Sequence, residues 1–275
     1  MFSSLTATAV EFKQQKLSEH LTVLYGEGGN IAVHHGQDGL YIVDDQFARL
    51  SDEIKKQLQL LHPAQAEFVI NTHHHGDHTG GNENFANAGS HVIAQHQVRH
   101  RLQDKHGSDS AYLPRLTFSE DLSLHFNQEH AQLRHFAHAH TDGDAVVFFT
   151  VANAVHMGDL FFNTGSLPFV DVDSGGSVDG LLQALRQIAA MIDDNTKVIP
   201  GHGEVTNRAT LLSYIKLIED ARTSLLNSMA QLASEDEVVK ADPLAPLGLE
   251  YLQWLSKERV TRLFYRSLKQ SDKIK

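Results

Sequence analysis

The chain has 275 residues, of which 41% are hydrophobic and 21% are charged, and this composition argues against a disordered or fibrous protein. Its 23 Lys and Arg residues against 34 Asp and Glu residues give a formal net charge of −11, which argues against nucleic acid as a partner because that binding depends on neutralising phosphates. The chain has no cysteine, which excludes disulfides, thiolate metal ligands and cysteine nucleophiles.

The sequence carries no pattern typical of membrane insertion. No apolar run approaches the ~18 residues that a membrane-spanning helix needs. Residues 1–15 lack the positive region and the long apolar region of a signal peptide. We therefore expect a soluble protein without a membrane partner, and the lack of cysteine is compatible with either the cytoplasm or the periplasm.

The first predicted elements in chain order are short strands. Residues 20–46 alternate β-rich runs with glycines and predict a three-stranded meander. Residues 48–61 place leucines and an isoleucine at helical spacing and predict a helix. Residues 67–72 predict a strand that ends at a cluster of histidines, and this is the end of a strand at which open α/β sheets place their sites.

Strands and helices alternate through the rest of the chain. Further strands are predicted at 90–95, 122–126, 131–137, 145–151, 153–157 and 197–200. Amphipathic helices are predicted at 177–193, 207–232 and about 249–269, with a polar, proline-bearing loop at 234–246. No change of composition marks a linker, so we predict a single α/β domain over residues 1–275, in which the helices of residues 207–270 pack as an outer layer.

Histidine is unusually frequent, with 19 residues in the chain, and the densest cluster is THHHGDHTGG at residues 72–81. This segment contains the pattern HxHxDH, formed by His73, His75, Asp77 and His78. If the strand continues through His75, then His73 and His75 project to one face and can bind one ion. A sharp turn at Gly76 would direct Asp77 and His78 to a second ion. A chain of this composition produces the pattern by chance only about once in a hundred cases.

Three later positions could complete a site for two metal ions. His140 precedes a turn and a buried strand, and His138, which shares its face, is the alternative. Asp159 follows a strand in an apolar stretch, where an unpaired charge is costly. His202 lies between two glycines at the end of a strand, a position that suits a metal ligand.

HxHxDH, the HT turn at His140, the GD at Asp159 and the GHG at His202 resemble the metallo-β-lactamase superfamily in type, order and approximate spacing. The resemblance covers residues 20 to about 205 and implies a four-layer αββα sandwich, a mixed α/β fold. It also implies that His73, His75 and His140 hold one metal, that Asp77, His78 and His202 hold a second, and that Asp159 bridges the two.

The chain departs from the best-known β-lactamase branch. That branch has a cysteine where Asp159 stands, and often a lysine three residues later to bind the substrate carboxylate, a position that is Phe162 here. The bridging Asp resembles the wider hydrolases of the superfamily, while the TDGD turn after His140 resembles lactamase-type sequences, so β-lactamase activity stays open.

We expect a zinc-dependent hydrolase with two Zn²⁺ ions, because nitrogen and oxygen ligands without sulfur suit zinc and also iron or manganese. A hydroxide between the ions would attack the amide, ester or thioester of a small-molecule substrate, and Asp77, as the catalytic residue, would orient it or pass on its proton. Asp44 is the predicted partner of a ligating imidazole; the alternative is that Asp44 and Asp45 are a solvated end of a strand.

The substrate side is less defined. Phe162 and Phe169 follow Asp159 closely and could line an apolar pocket, or they could belong to the core. Residues 99–115 form a long connection with four basic side chains, either a substrate rim or a solvated face. Two other functions stay open: an iron-dependent oxidoreductase on the same fold, and a metal-binding protein without catalysis. Oligomeric state is not predicted.

Overall fold

The chain folds into two large mixed β-sheets and eight α-helices, and the computed structural model describes residues 10–271. The strands are β1 (Lys13–Lys16), β2 (Leu21–Tyr25), β3 (Ile31–Gly36), β4 (Gly39–Val43), β5 (Ala66–Ile70), β6 (His91–Gln95), β7 (Leu116–Phe118), β8 (Asp121–Phe126), β9 (Glu129–His135), β10 (Ala145–Phe149), β11 (Ala154–His156), β12 (Phe162–Asn163), β13 (Lys197–Ile199) and β14 (His202–Gly203). The α-helices are α1 (Ser51–Leu61), α2 (Gly76–Thr79), α3 (Asn82–Asn87), α4 (His96–His106), α5 (Val178–Met191), α6 (Arg208–Met229), α7 (Glu235–Ala241) and α8 (Lys257–Ser271). Over residues 10–271, no helix has both the length and the apolar character needed to cross a membrane.

The two large sheets have a similar plan. The first runs in the order β1-β2-β3-β4-β5-β6-β7 and changes from antiparallel to parallel at the β4–β5 pair. The second runs in the order β13-β11-β10-β9-β8 and has one parallel pair, β11 with β13. A short parallel pair, β12 with β14, places Phe162 opposite His202. The predicted meander of residues 20–46 is therefore confirmed as β2, β3 and β4.

Alternate residues of the strands supply three layers of core. In β4, Tyr41 and Val43 face the second sheet, whereas Leu40 and Ile42 face α1 and α3. On the far face of the second sheet, residues such as Val146 share a core with α5, α6 and α8. The order of layers is helix, sheet, sheet, helix, so the predicted αββα sandwich is confirmed.

The helices after β14 differ in part from the sequence prediction. Residues 249–256 are not helical: Gly248 has φ of 59°, and α8 begins only after Ser256, whose Oγ accepts a hydrogen bond from the N–H of Arg259. The segment 234–246, predicted as a loop, contains α7, because Ser234 and Glu237 form a reciprocal capping box. The assignment of residues 1–275 to one domain includes residues 1–9 and 272–275, which lie outside the described residues, and it stays a prediction.

The connection predicted at residues 99–115 is shorter than expected. Residues 96–106 form α4, which ends at Gly107 with φ of 85°. Two of its basic side chains have partners within the fold, since Arg99 donates to the carbonyl of Pro114 and Arg101 forms a bidentate ion pair with Asp142. These two arginines therefore support the fold, and they do not point to a substrate rim.

Candidate metal centre

The candidate ligands lie in segments that follow strands, at one edge of the two sheets. The segments are the ones after β5 (His73 to His78), β9 (His140) and β11 (Asp159), together with β14 itself (His202). Asp44, which supports the ligands, follows β4 at the same edge. Because the strands carry the backbone to the same edge, residues up to 129 positions apart in sequence meet in space.

The loop after β5 reaches the site by a different route from the one predicted. β5 ends at Ile70, so the expectation that the strand continues through His75 is wrong. The rings of His73 and His75 nevertheless meet, with their centroids 4.7 Å apart. Gly76 begins α2 in ordinary helical conformation, and a Cβ added there would meet no atom within 4 Å. The first turn of α2 therefore orients Asp77 and His78, without a sharp turn at the glycine.

Four side chains form the first ligand group: His73, His75, His140 and Asp159. Nδ1 of His75 lies 3.1 Å from Nε2 of His73 and 3.0 Å from Nε2 of His140. Both of those Nε2 atoms lie 3.7 Å from Oδ2 of Asp159. Ligands at 2.0–2.1 Å around a tetrahedral ion are about 3.3 Å apart, so this group has the dimensions of a metal site.

The second ligand group lies next to the first and consists of Asp77, His78, Asp159 and His202. Nε2 of His78 is 3.0 Å from Oδ1 of Asp159, and Nε2 of His202 is 3.4 Å from the same oxygen. These three atoms are buried and make no well-formed hydrogen bond within the described residues. Buried polar atoms without partners are costly, and a cation between them would remove that cost.

Asp159 belongs to both groups through different oxygens: Oδ2 faces the first group and Oδ1 faces the second. Two glycines make room for this arrangement. A Cβ at Gly201 would collide with Oδ1 of Asp159, and a Cβ at Gly29 would collide with the ring of His78. The residues therefore fit a pair of adjacent divalent cations that share one carboxylate.

Hydrogen bonds on the outer side of the rings determine which nitrogen of each histidine faces the site. Nδ1–H of His140 donates to the carbonyl of Phe169 (2.6 Å), and Nε2–H of His75 donates to Oδ2 of Asp171 (3.0 Å). Thr72 Oγ1 donates its hydrogen to Asp44 and must therefore accept from Nδ1–H of His73, at 3.1 Å. In each ring the other nitrogen then offers its lone pair to the site.

Asp44 is fully buried and supports both groups. Its carboxylate accepts from N–H and Oγ1 of Thr72, both at 2.8 Å, and from Nδ1–H of His78 at 2.7 Å. The alternative of a solvated strand end is wrong, since Asp44 and Asp45 are both completely buried. Asp44 has φ of 63°, an unfavourable backbone conformation that its three hydrogen bonds maintain.

The electrostatics differ between the two groups. Burial lowers the pKa of His73 well below its ordinary value and that of His140 to about 4, so both imidazoles are neutral and can ligate. Burial also acts to lower the pKa of His202, but the carboxylate of Asp159 outweighs it and raises this pKa to about 9. The carboxylate of Asp159 therefore favours positive charge on the second group.

A cavity of about 460 Å³ opens beside the two ligand groups. Its lining includes four residues of the ligand groups, His75, Asp77, Asp159 and His202, and three aromatic residues, Phe47, Phe169 and Trp254. Of the two phenylalanines predicted to bind substrate, Phe169 lines the cavity. Phe162 does not, because it is 1% exposed and stacks on the far side of His202 with ring centroids 5.1 Å apart.

Several residues near the site were not found from the sequence. Asp171 and Thr72 act through hydrogen bonds to ligand rings, and Trp254 reaches the cavity from a segment predicted to be helical. Thr72 and Trp254 carry no local sequence signal, and Asp171 caps the short 3₁₀ helix at Val172–Ser174, a role that does not point to His75. The alternative ligand His138 is exposed and its Nδ1 contacts the carbonyl of Gly175, away from both groups.

Comparisons with known proteins agree with this geometry. The family model of the metallo-β-lactamase superfamily matches residues 43–202. A hydroxyacylglutathione hydrolase from Polaromonas sp. is 29% identical over 141 residues, which make up 50% of this chain and 49% of that protein. A probable hydroxyacylglutathione hydrolase from Schizosaccharomyces pombe is 24% identical over 209 residues, 72% of either chain. The chain thus spans about half the length of the first of these curated relatives.

Solved structures show the same fold. DIM-1 metallo-β-lactamase superposes with a TM-score of 0.66 at 17% identity, over 77% of this chain and 99% of that one. The metallo-β-lactamase from Pontibacter korlensis superposes with a TM-score of 0.65 at 15% identity, over 76% of this chain and 100% of that one. At these identities the likeness concerns the fold alone.

Proposed function

The chain belongs to the metallo-β-lactamase superfamily, and on this basis we propose that it is a hydrolase with two divalent cations that cleaves acyl bonds, with thioesters as its first substrate class. The observation that carries the proposal is the division of Asp159 between two adjacent ligand groups, Oδ2 to one and Oδ1 to the other. Thioesters are proposed because the curated relatives are hydroxyacylglutathione hydrolases.

His73, His75 and His140 would hold one cation, Asp77, His78 and His202 the other, and Asp159 both. When bound, the two cations would polarise an acyl carbonyl and make water acidic enough to act as a nucleophile near neutral pH. Zinc is proposed because the donors are nitrogen and oxygen without sulfur, a set that also accepts iron or manganese.

Asp77 is the chain's proposed proton carrier. Its Oδ2 lies 3.3 Å from Nε2 of His202, its side chain is 28% exposed, and it faces the cavity. A carboxylate at that place can accept a proton from an attacking water and return it to the leaving thiol or alcohol. Asp44 and Asp171 keep the rings of His78 and His75 in position meanwhile.

β-Lactam cleavage has less support. Phe162, at the position where the best-known lactamase branch often has a lysine, is buried behind His202 and carries no charge. The structures of lactamases that superpose on this chain share its fold at 15–17% identity, which does not extend to activity.

The test is a hydrolysis screen of a thioester, a lactone, a β-lactam and a phosphodiester, each with the protein loaded with zinc, iron or manganese. We expect chelator-sensitive cleavage of the thioester. Asp77→Asn should reduce kcat by about 10²- to 10⁴-fold, the range for loss of a general acid or base, with a smaller effect on the binding of the first metal. Asp104→Asn, an exposed carboxylate on α4, is the control.

Other outcomes would replace the proposal. Two bound metal ions without turnover of any substrate would indicate a metal-binding protein without catalysis. Consumption of O₂ by the iron-loaded protein alone would indicate an oxidoreductase. Equal loss of turnover and of first-metal binding in Asp77→Asn would refute the role given to Asp77.

A further inference from the structure

Part of the cavity lining is aromatic and consists of Phe47, Phe169 and Trp254, here called the aromatic wall. Trp254 is the only tryptophan of the chain and is 49% exposed. Its ring meets that of Phe169 edge to face, with centroids 5.9 Å apart and planes at 74°. A volume of about 460 Å³ is in the range of small-molecule sites. Phe169 also contacts the rings of His75 and His140, with centroids 5.7 and 5.8 Å apart, so the wall presents apolar ring surface beside the first ligand group.

The wall is held in place by its neighbours. Leu255, next to Trp254, is completely buried, and a guanidinium N–H of Arg259 donates to the carbonyl of Trp254 at 3.0 Å. Arg259 also covers Phe169, with its guanidinium carbon 5.0 Å from the ring centroid. Phe169 in turn fixes His140 through its own carbonyl. The wall is a built surface, so a ligand need not order it at the time of binding.

Apart from the two proposed cations and the histidines that would hold them, the side chains of the cavity do not favour an anionic group. The described residues that line it include no lysine or arginine, and the one acid of the outer rim, Glu27, forms an ion pair with Arg49. Arg259 does not line this cavity. It lines an adjoining pocket together with Arg262, Arg266 and the acids Asp171, Asp173 and Glu258, and of these Arg262 forms an ion pair with Glu258. A carboxylate on a substrate would therefore find no lysine or arginine among the described residues that line the cavity.

Building on the hydrolase function proposed above, we infer that the aromatic wall selects substrates with a neutral aromatic group near the scissile acyl carbon and discriminates against those with a carboxylate there. Trp254 and Phe169 are the residues that determine this specificity. The ring of such a substrate would stack against them while its acyl carbon lies beside His75 and Asp77 in the same cavity.

The first experiment is a binding titration of the zinc-loaded full chain with two amides that share a skeleton: neutral N-benzylacetamide and anionic 4-(acetamidomethyl)benzoate. Trp254 is the only tryptophan, so its emission reports on the wall itself, independently of turnover. We expect a saturable change with the neutral probe, and a Kd about tenfold higher or more for the anionic probe, a ratio that corresponds to about 1.4 kcal/mol.

Variants separate the wall from the rest of the protein. In calorimetric titrations, Trp254→Ala and Phe169→Ala should bind the neutral probe about three- to tenfold more weakly than the parent, and Trp254→Phe should retain most of the parent's affinity. Leu60→Ala, at a leucine that is 74% exposed on α1 and outside the cavity, is the control and should bind like the parent. With benzyl thioesters, the wall variants should raise KM more than they lower kcat.

The inference and the proposed function can fail separately. Probe binding at Trp254 without hydrolysis of any ester would support the inference about the aromatic wall and refute the hydrolase function. Hydrolysis with no response of Trp254 to the neutral probe would support the hydrolase function and refute the inference about the aromatic wall. Binding of the anionic probe as tight as that of the neutral one would also overturn the inference, and weakening of that binding in Arg259→Gln would identify Arg259 as the anion site.

Discussion

Asp171→Asn tests how strongly an outer hydrogen bond controls the metal centre. Oδ2 of Asp171 accepts from Nε2–H of His75 at 3.0 Å, and Oδ1 lies 3.2 Å from the N–H of Ser174. An asparagine can keep only one of these bonds, because its amide offers a single acceptor oxygen. If the oxygen stays on Ser174, the NH₂ group faces His75 and favours the tautomer with hydrogen on Nδ1, the atom that faces the first ligand group.

The size of the effect follows from the burial of the contact. The side chain of Asp171 is 16% exposed, so we take the lower end of the range for a hydrogen bond to a charged group, about 1.5 kcal/mol. That energy is a factor of about ten in Kd, within the 10- to 100-fold range typical of residues that orient metal ligands. The assay is a competition for Zn²⁺ between the protein and a chromophoric chelator, and kcat is measured for the same variants.

Asp173→Asn is the matched control, because Asp173 is exposed, lies two residues away and loses the same charge. We expect the control to bind zinc like the parent. An affinity for zinc that is the same in Asp171→Asn and in the control would refute the reasoning.

Two further predictions concern stability and zinc content. Burial lowers the pKa of His34 to about 4 from its ordinary 6.5, so below pH 6.5 the unfolded chain takes up a proton that the folded protein does not, and stability is lost as the pH falls towards 4. His34→Phe can stack on Tyr41 in the same way. Between pH 7 and pH 4 its free energy of unfolding, measured in urea, should fall by about 3 kcal/mol less than that of the parent. Equal falls in the two proteins would contradict this prediction. Gly29→Ala should displace the ring of His78, and elemental analysis should then find fewer than two zinc ions per chain. Gly76→Ala is the control and should keep both ions, because a Cβ there meets no atom within 4 Å. Full zinc content in Gly29→Ala would contradict the prediction and show that the ring can move aside.

The sequence predicted the fold well where local patterns are strong. The β2–β4 meander follows from β-rich runs separated by glycines, and α1, α5 and α6 follow from helical spacing, because each helix buries one face against a sheet. β1 was missed: its sequence KQQK is polar, and its position at the edge of the first sheet depends on pairing with β2. The capping box of α7 at Ser234 and Glu237 was readable in the sequence and was overlooked.

For the candidate site, the sequence pointed to the residues that a motif marks. The seven candidate ligands, from His73 to His202, lie in short patterns of histidine, aspartate and glycine, and the structure brings all seven together. Asp171 is 96 positions away from His75, and Trp254 reaches the cavity from a non-helical segment. Contacts of this kind depend on how the layers pack, which no local pattern encodes.

Asp44 joins the two halves of the centre through a single carboxylate. Through Thr72 it orients His73, on one side, and it binds His78 directly, on the other. A cation that fixes this carboxylate through one half of the centre also orders the ligands of the other half. Binding of either cation should therefore raise the affinity for its neighbour, and by reciprocity the effect is the same in both directions. We therefore expect cooperative loading: in a titration with zinc, chains holding one ion should be scarce at every stage between none and two.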